Sequence, residues 1–283
     1  MSQVKAEVIK HSVFPSGSEL ITLEIELHRF ILPEFNTHSS NSKNFQSTRA
    51  VPILKQLELI AQNGIAYPVE YYKKSKGMSG RELLSQEDVE KCENIIEEMA
   101  KFCCDKVKEL DKIGLHKQTA GRYIEPYMYT KGVVTATKKA FDWFFNLRED
   151  VEAQPEIKAL AKCMKTAIEA SKPIVRTSAN AWHLPYVEEE SALSLSDKLK
   201  VSVSCCAQVS YRKLDDSLDK ARDIVDNKLS GKEGKPHHSP FQHQATSCDL
   251  LSIFGANSYK SNFNNFGEED IIQYRKLIEA GSL

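Results

Sequence analysis

The chain has 283 residues, 41% of them hydrophobic and 27% charged, and its 38 basic and 39 acidic side chains leave a formal net charge of -1. That balance excludes a general nucleic-acid coat, because non-specific binding to phosphate backbones is driven by excess cation. No apolar run approaches the roughly 20 residues that span a bilayer and the N-terminus has no signal-peptide core, so a cytoplasmic protein without a membrane partner is expected.

The length suits one large domain or two small ones. Seven cysteines, at 92, 103, 104, 163, 205, 206 and 248, are odd in number and form no Cys-x-x-Cys clamp, which points to reduced, mostly buried thiols.

Residues 1–20 give little beyond a turn at Pro15, Gly17 and Ser18. The alternation of Ile21, Leu23, Ile25 and Leu27 with Thr22, Glu24 and Glu26 predicts a strand with one buried face. From Thr37 to Arg49 the chain then packs hydroxyls, amides, one imidazole and two cations around a single large apolar side chain, Phe45. By composition this is either a solvated Ser/Asn-rich loop or a segment that binds something polar. Pro52 suits the first turn of a following helix carrying Ile53, Leu54, Leu57 and Ile60, with Gly64 as its stop. The polar donors are thus held between two regular elements, where an anion could meet prearranged groups.

Tyr71 to Gly80 is basic and glycine-punctuated, and reads as a surface loop rather than a phosphate site. Ser85 can cap the next helix, with Asp88 three residues on and Val89, Cys92, Ile96, Met99, Cys103, Val107 and Leu110 repeating at spacings of three and four. That stripe predicts core or a helix–helix seam. A β-branched run follows at Val133, Val134 and Thr135, then the aromatic cluster Phe141, Trp143, Phe144 and Phe145, which reads as core. Pro155 starts a further amphipathic helix with Ile157, Leu160, Met164 and Ile168 on one face, ending near Ser171.

Trp182-His183-Leu184-Pro185 and the acidic run Glu188 to Glu190 lead into a polar connection, which places a boundary between residues 1–190 and 191–283. Beyond it, VSVSCCAQVSY reads as a buried element, and Asp215 can cap a helix bearing Leu218, Ala221, Ile224, Val225 and Leu229, closed by Gly231. In His237-His238-Ser239-Pro240-Phe241-Gln242-His243, three histidines invite zinc, but no nearby cysteine or carboxylate completes a tetrahedral set, so no metal is expected.

Several of these segments resemble the flavin-dependent thymidylate synthases. The family signature Arg-His-Arg-x-x-Ser-x-Asn-x-x-Ser-x-Arg finds His38, Ser42, Asn44, Ser47 and Arg49 in register, with Thr37 and Ser39 standing where the family has arginines. Gly121-Arg122-Tyr123-Ile124-Glu125-Pro126 echoes its Ala-Arg-x-x-Leu-Pro element. Arg148 followed by Ala153-Gln154-Pro155-Glu156-Ile157 matches its arginine before Ala-Gln-x-Glu-Ile. The histidine element meets His-x-Ser-Pro-Phe-Glu-His at every position except Gln242, and CAQVSY at 206–211 is similar to an Ala-Arg-Val-Ser-Tyr segment. In most of the family these last two come first. The order here resembles a circular permutation of a phage-type branch, which is cheap when termini lie close together.

The resemblance implies an α+β fold, a mixed or antiparallel sheet flanked by helices, assembled as a homotetramer with shared sites. Residues 1–190 would be the nucleotide- and flavin-binding part, and 191–283 the counterpart of the family's N-terminal segment within the same compact domain. It implies reductive methylation of dUMP to dTMP with FAD, NADPH and methylenetetrahydrofolate, without a cysteine nucleophile. Ser47, Arg49, Arg122 and Arg148 would hold dUMP through charge-assisted hydrogen bonds. His38, Ser42, Asn44, His237 and His243 would face FAD or folate, and the flavin would carry the chemistry.

The departures matter. Thr37 and Ser39 remove two fixed charges from where the family meets its flavin, Gln242 removes a carboxylate in partial compensation, and Lys43 is a candidate replacement cation. Two other readings fit the same residues: a related enzyme adding another one-carbon group, such as hydroxymethyl, to dUMP or dCMP, and a catalytically silent nucleotide-binding or assembly subunit. Without a ligand role, Arg148 would pair with Glu152 on its own helix, and His38 and His243 would be core histidines.

Overall fold

The computed structural model describes residues 4–210, 214–229, 239–252, 266 and 270–279. Strands β1 (Lys5–Val13) and β2 (Glu19–His28) form an antiparallel hairpin. Gly17 takes φ +87° in its turn, a conformation open to glycine at no steric cost. Strand β1 has no counterpart in the sequence reading. A register shift between Val8 and Lys10 breaks its two-residue period, and Lys10, His11 and Ser12 are buried although polar.

A short helix α1 (Leu32–Asn36) and strand β3 (Ser42–Phe45) lead to α2 (Ile53–Asn63), for which Pro52 is the N-cap and Gly64 the stop. Helix α3 (Gln86–Ile113) starts on Ser85, whose Oγ accepts from the Asp88 amide, and closes at Gly114 in the left-handed region. Of its predicted apolar stripe only Val107 is fully buried, against α2 and the segment Gly121–Tyr127; Met99 is exposed, because α2 covers only part of so long a helix. After α4 (Lys117–Ala120) come β4 (Tyr129–Thr137), α5 (Lys138–Arg148) and α6 (Pro155–Ala170).

With β5 (Ile174–Val175) the main sheet has the order β3-β4-β2-β1-β5, antiparallel except for the β1/β5 pair. Ile21, Leu23, Ile25 and Leu27 face α5 and α6, packing with Phe141, Phe144, Phe145, Ile157, Leu160, Met164 and Ile168 as the sequence predicts. Trp143 departs from the expected aromatic core: it points away and is 74% exposed.

The other sheet face is covered too. Strand β6 (Trp182–His183), helix α7 (Leu195–Ala207), helix α8 (Leu218–Arg222), strand β7 (Ala245–Ser247), helix α9 (Cys248–Ser252), strand β8 (Ile271–Gln273) and helix α10 (Tyr274–Glu279) complete the described elements. They share a second core in which Phe14 and Leu20 meet Trp182, Leu199, Val201, Cys205, Ile271 and Leu277. Strand β2 is therefore buried on both sides near Thr22, and the one-sided strand expected from sequence is corrected there. Helix α8 is capped by Ser217, not Asp215; Asp215 instead accepts from the Ser217 amide, and the chain continues as a π-helical stretch, Asp223–Leu229. Gly231 lies outside the described residues.

Candidate active site

The polar stretch 37–49 runs from the end of α1 through β3, the outer strand of the main sheet, to the start of α2. Phe45 anchors it: its ring packs on Phe35, 5.8 Å between centroids, and lies over Gly132 of β4, where any Cβ would fall 2.2 Å from the ring. Its polar side chains are then shared between two patches.

At the first, His38 packs edge-on against Phe144 with centroids 4.8 Å apart, and its Nε2 accepts from Arg148 Nε at 3.0 Å. The imidazole proton therefore resides on Nδ1. Burial, then the charges of Arg148 and Lys43, hold His38 down to about 4, so it is neutral near pH 7. Arg148 also pairs with Glu34, not with Glu152, which lies beyond the end of α5 in the turn before α6 and not on the same helix as expected. Lys43 is spent on structure: its ammonium donates to the carbonyls of Phe35, Asn36 and His38 and sits 5.4 Å from the Phe35 ring centre. Burial lowers it to about 8. Beside this patch opens a cavity of ≈ 370 Å³ lined by residues 37–41, Thr137, Lys139, Ala140, Trp143, Phe144 and Phe266. Asn41 is buried there, and its Nδ2 has no partner among the described residues.

At the second patch Glu125 gathers the chain. It accepts from Thr48 Oγ1 at 2.7 Å and pairs with Arg122 at 3.0 Å and Arg29 at 3.1 Å. Ser47 Oγ accepts from the Arg49 amide at 3.3 Å, and the Arg49 side chain is exposed, as is that of Arg122. Thr48, between Ser47 and Arg49 in sequence, and Arg122 thus meet at Glu125. Arg148 is tied to His38 and Glu34 at the opposite end of β3, so one chain does not bring all four predicted nucleotide ligands into one cluster.

Between the patches, Ser42 and Asn44 are met by the C-terminal part: Gln273 Nε2 donates to Ser42 Oγ at 2.7 Å, and Asn44 Nδ2 donates to the Cys206 carbonyl at 2.6 Å. His237 and Tyr211 lie outside the described residues. His243 does not; it is fully buried and ends a row of hydrogen bonds across the covered sheet face. Arg176 Nε donates to Ser12 Oγ at 2.8 Å, and the row continues Ser12–His183, His183–Thr22, Thr22–Thr135 and Thr135–His243 at 2.8, 2.8, 2.7 and 2.8 Å.

The direction of this row follows from its Arg176 end. A guanidinium only donates, so Ser12 accepts there; its own hydrogen meets no other acceptor among the described residues, which favours the direction in which it goes to His183 Nδ1. Burial, reinforced by the charges of Arg176 and Lys10, holds His183 well below its ordinary value, so it is neutral and its hydrogen is on Nε2. That hydrogen goes to Thr22, Thr22 donates to Thr135, and Thr135 donates to His243 Nδ1. His243, held down to about 3 by burial, is left with a hydrogen on Nε2 that meets no partner among the described residues.

The sequence reading missed Thr22, Thr135 and His183 as a unit. The available signals were a histidine between Trp182 and Leu184 and a threonine on each of two apolar strands, which together demand buried polar partners.

A mixed sheet flanked by helices, with the polar stretch along its outer strand, defines an α+β protein. Residues 11–174, which carry the end of β1, strands β2 to β4, the stretch 37–49, Arg122 and Arg148, match the thymidylate synthase complementing protein family (Thy1), the flavin-dependent thymidylate synthases, and the chain belongs to that family. The histidine element and CAQVSY fall outside the matched span.

The chain is also similar to the UMP/dUMP methylase PolB from Streptomyces cacaoi, solved with 5-Br UMP (16% identity over 59% of this chain and 89% of that one, TM-score 0.47) and with 5-Br dUMP (14% identity over 59% and 90%, TM-score 0.49). No curated protein sequence matches it. No helix among the described residues is long and apolar enough to cross a membrane.

Proposed function

We propose that the protein modifies C5 of dUMP, as a flavin-dependent thymidylate synthase using methylenetetrahydrofolate and NADPH. The observation that carries this reading is the family match over 11–174, which includes Ser47, Arg49, Arg122 and Arg148. A nucleotide monophosphate needs arginine forks and hydroxyl donors, and the Ser47–Arg49–Arg122 patch presents both at the surface. Arg148, oriented by Glu34 and His38, is the fourth ligand. Because it sits apart from the other three, the clamp is completed between subunits, in keeping with a homotetramer.

The residues around the 370 Å³ cavity fit a flavin. Asn41 offers a buried, unmatched donor, Trp143 and Phe144 an aromatic wall, and Lys139 a cation where the family arginines are missing. When bound, the reduced flavin would supply the hydride. The protein's part is to orient the nucleotide and exclude water. Cysteine is not needed: burial raises the thiols of Cys205, to about 12, and of Cys206, which disfavours thiolates.

The C-terminal part is read as the permuted counterpart of the family's N-terminal segment. The contacts His243–Thr135, Gln273–Ser42 and Asn44–Cys206, which seat it against β3 and β4, support this. The test is direct. Purified protein should be yellow, release flavin on denaturation, and convert dUMP, methylenetetrahydrofolate and NADPH to a product whose mass identifies the added group. Colourless protein that takes up no added FAD and leaves dUMP unchanged would reject the assignment.

A further inference from the structure

Helix α3 carries two apolar faces. The inner one, with Cys103, Val107 and Leu110, packs on α2 and the segment 121–127 and holds the helix to its own chain. On the outer side Ile95, Met99 and Phe102 follow at spacings of four and three, and they are 57, 52 and 63% exposed. At 3.6 residues per turn those spacings put all three in one stripe, which Cys92 extends by a further three positions. Apolar residues scattered singly over a surface need no partner. A stripe of large ones along one helix is the face of an interaction.

The charges of α3 say what covers it. Its first half, 86–99, carries six carboxylates and one lysine, and its second half, 100–113, carries four lysines and three carboxylates. A second copy of the helix laid antiparallel sets each acidic half against the more basic one, whereas a copy laid parallel sets acid against acid. One antiparallel register satisfies the stripe as well. In the heptad pattern of paired helices, Ile95 then meets the partner's Met99, Cys92 meets the partner's Phe102, and Asp88 meets the partner's Lys106. Two-fold symmetry makes each contact twice, so the apolar centre is closed by an ion pair at both ends. Beside the seam Lys91 meets the partner's Asp105, while Glu98 meets its own copy, a like-charge pair. In one chain Asp88, Lys106 and Asp105 are held by exposed pairs along the helix, with Lys91 at 3.4 Å, Glu109 at 2.9 Å and Lys108 at 2.9 Å. Pairs of that kind are worth little and exchange at little cost. We propose that α3 is a self-docking surface, along which two copies of this chain pair antiparallel with Ile95 seated against the partner's Met99. This does not rest on the enzymatic reading, which asks that subunits meet but not that they meet along α3.

The test reads mass and cross-link position on the full chain. Sedimentation should show self-association, and Met99→Lys should raise the dissociation constant of the α3 step about tenfold or more, with circular dichroism unchanged because the side chain is exposed. Glu98→Gln removes the like-charge pair and should tighten that step. Oxidised Phe102→Cys should give a covalent dimer joining residues 92 and 102, since facing seam positions lie within disulfide reach, and Cys92→Ser in the same chain should abolish it. A chain that stays monomeric at every concentration would give the face to a different partner and overturn the proposal. Association untouched by Met99→Lys, weakened by Glu98→Gln, or cross-linked without residue 92 would overturn it too. None of these measurements involves nucleotide, so a failure here is distinguishable from a failure of the proposed enzymatic reading.

Discussion

Thr135 and His243 stand 108 positions apart, yet Oγ1 of the first lies 2.8 Å from Nδ1 of the second. The bond joins the matched span of the family to the histidine element outside it, and it sets which nitrogen of His243 carries hydrogen. Thr135→Val keeps the shape and removes the donor. It should cost about 1–3 kcal/mol, the penalty for stranding a buried polar atom, and let His243 populate the other tautomer. Urea melts read the first effect and ¹⁵N spectra of the imidazole the second. Thr135→Ser should restore both, and a valine variant with an unchanged tautomer would show that the hydroxyl does not set it.

His183 and His243, the two fully buried imidazoles among the described residues, make stability depend on pH in a fixed direction. Both are depressed below the ordinary value of about 6.5, so the unfolded chain binds protons in acid that the folded chain refuses. Their stabilisation is complete above that pH and is lost as pH falls towards about 3. At pH 5 His243 alone accounts for about 2 kcal/mol. The urea midpoint should therefore fall between about pH 7.5 and pH 5; a midpoint that holds steady or rises would show that these imidazoles protonate in place.

Arg148→Ala should abolish dUMP binding without unfolding the protein, since its partners Glu34 and His38 are not fully buried and can rehydrate. Arg148→Lys should recover only a fraction, because an ammonium cannot reach both partners as a planar fork. Calorimetry with dUMP and circular dichroism together check this. Unchanged dUMP affinity in the alanine variant would remove Arg148 from the site.

Gly132→Ala tests the seat of the polar strand. The new Cβ would fall 2.2 Å from Phe45, so the ring has to move and β3 with it. A loss of about 1–3 kcal/mol is expected, as for other overpacked sites, with partial recovery when Phe45 is also shortened to leucine. Thermal melts of the single and double variants report the coupling, and purely additive effects would place the ring elsewhere.

Much of the framework was legible in the residues. Pro52 and Gly64, Ser85, and Pro155 bound helices where cap chemistry says they should, because these signals act within a few positions. The core faces of β2 and α6 followed from periodicity alone. Contacts over long separations were not legible. Nothing near Arg148 announces Glu34, and nothing near Thr22 announces His183, since such pairs depend on which elements the fold lays side by side. Lys43 shows the same limit: read as a cation available to a ligand, it is consumed by three carbonyls of its own loop. Strand β1 stayed hidden because its buried polar residues imitate a loop.

The hydroxyl and imidazole row beneath the main sheet has one more implication. Every member except the last both gives and takes a hydrogen, so none can turn alone: the whole file faces one way or the other. The guanidinium of Arg176, anchored by Glu189 at 2.9 and 3.0 Å, only donates; by occupying a Ser12 lone pair it biases the file towards the direction in which Ser12 gives its hydrogen onward. A change made at that remote end would be read out on His243 as an inverted polarity, with no atom heavier than hydrogen having to move.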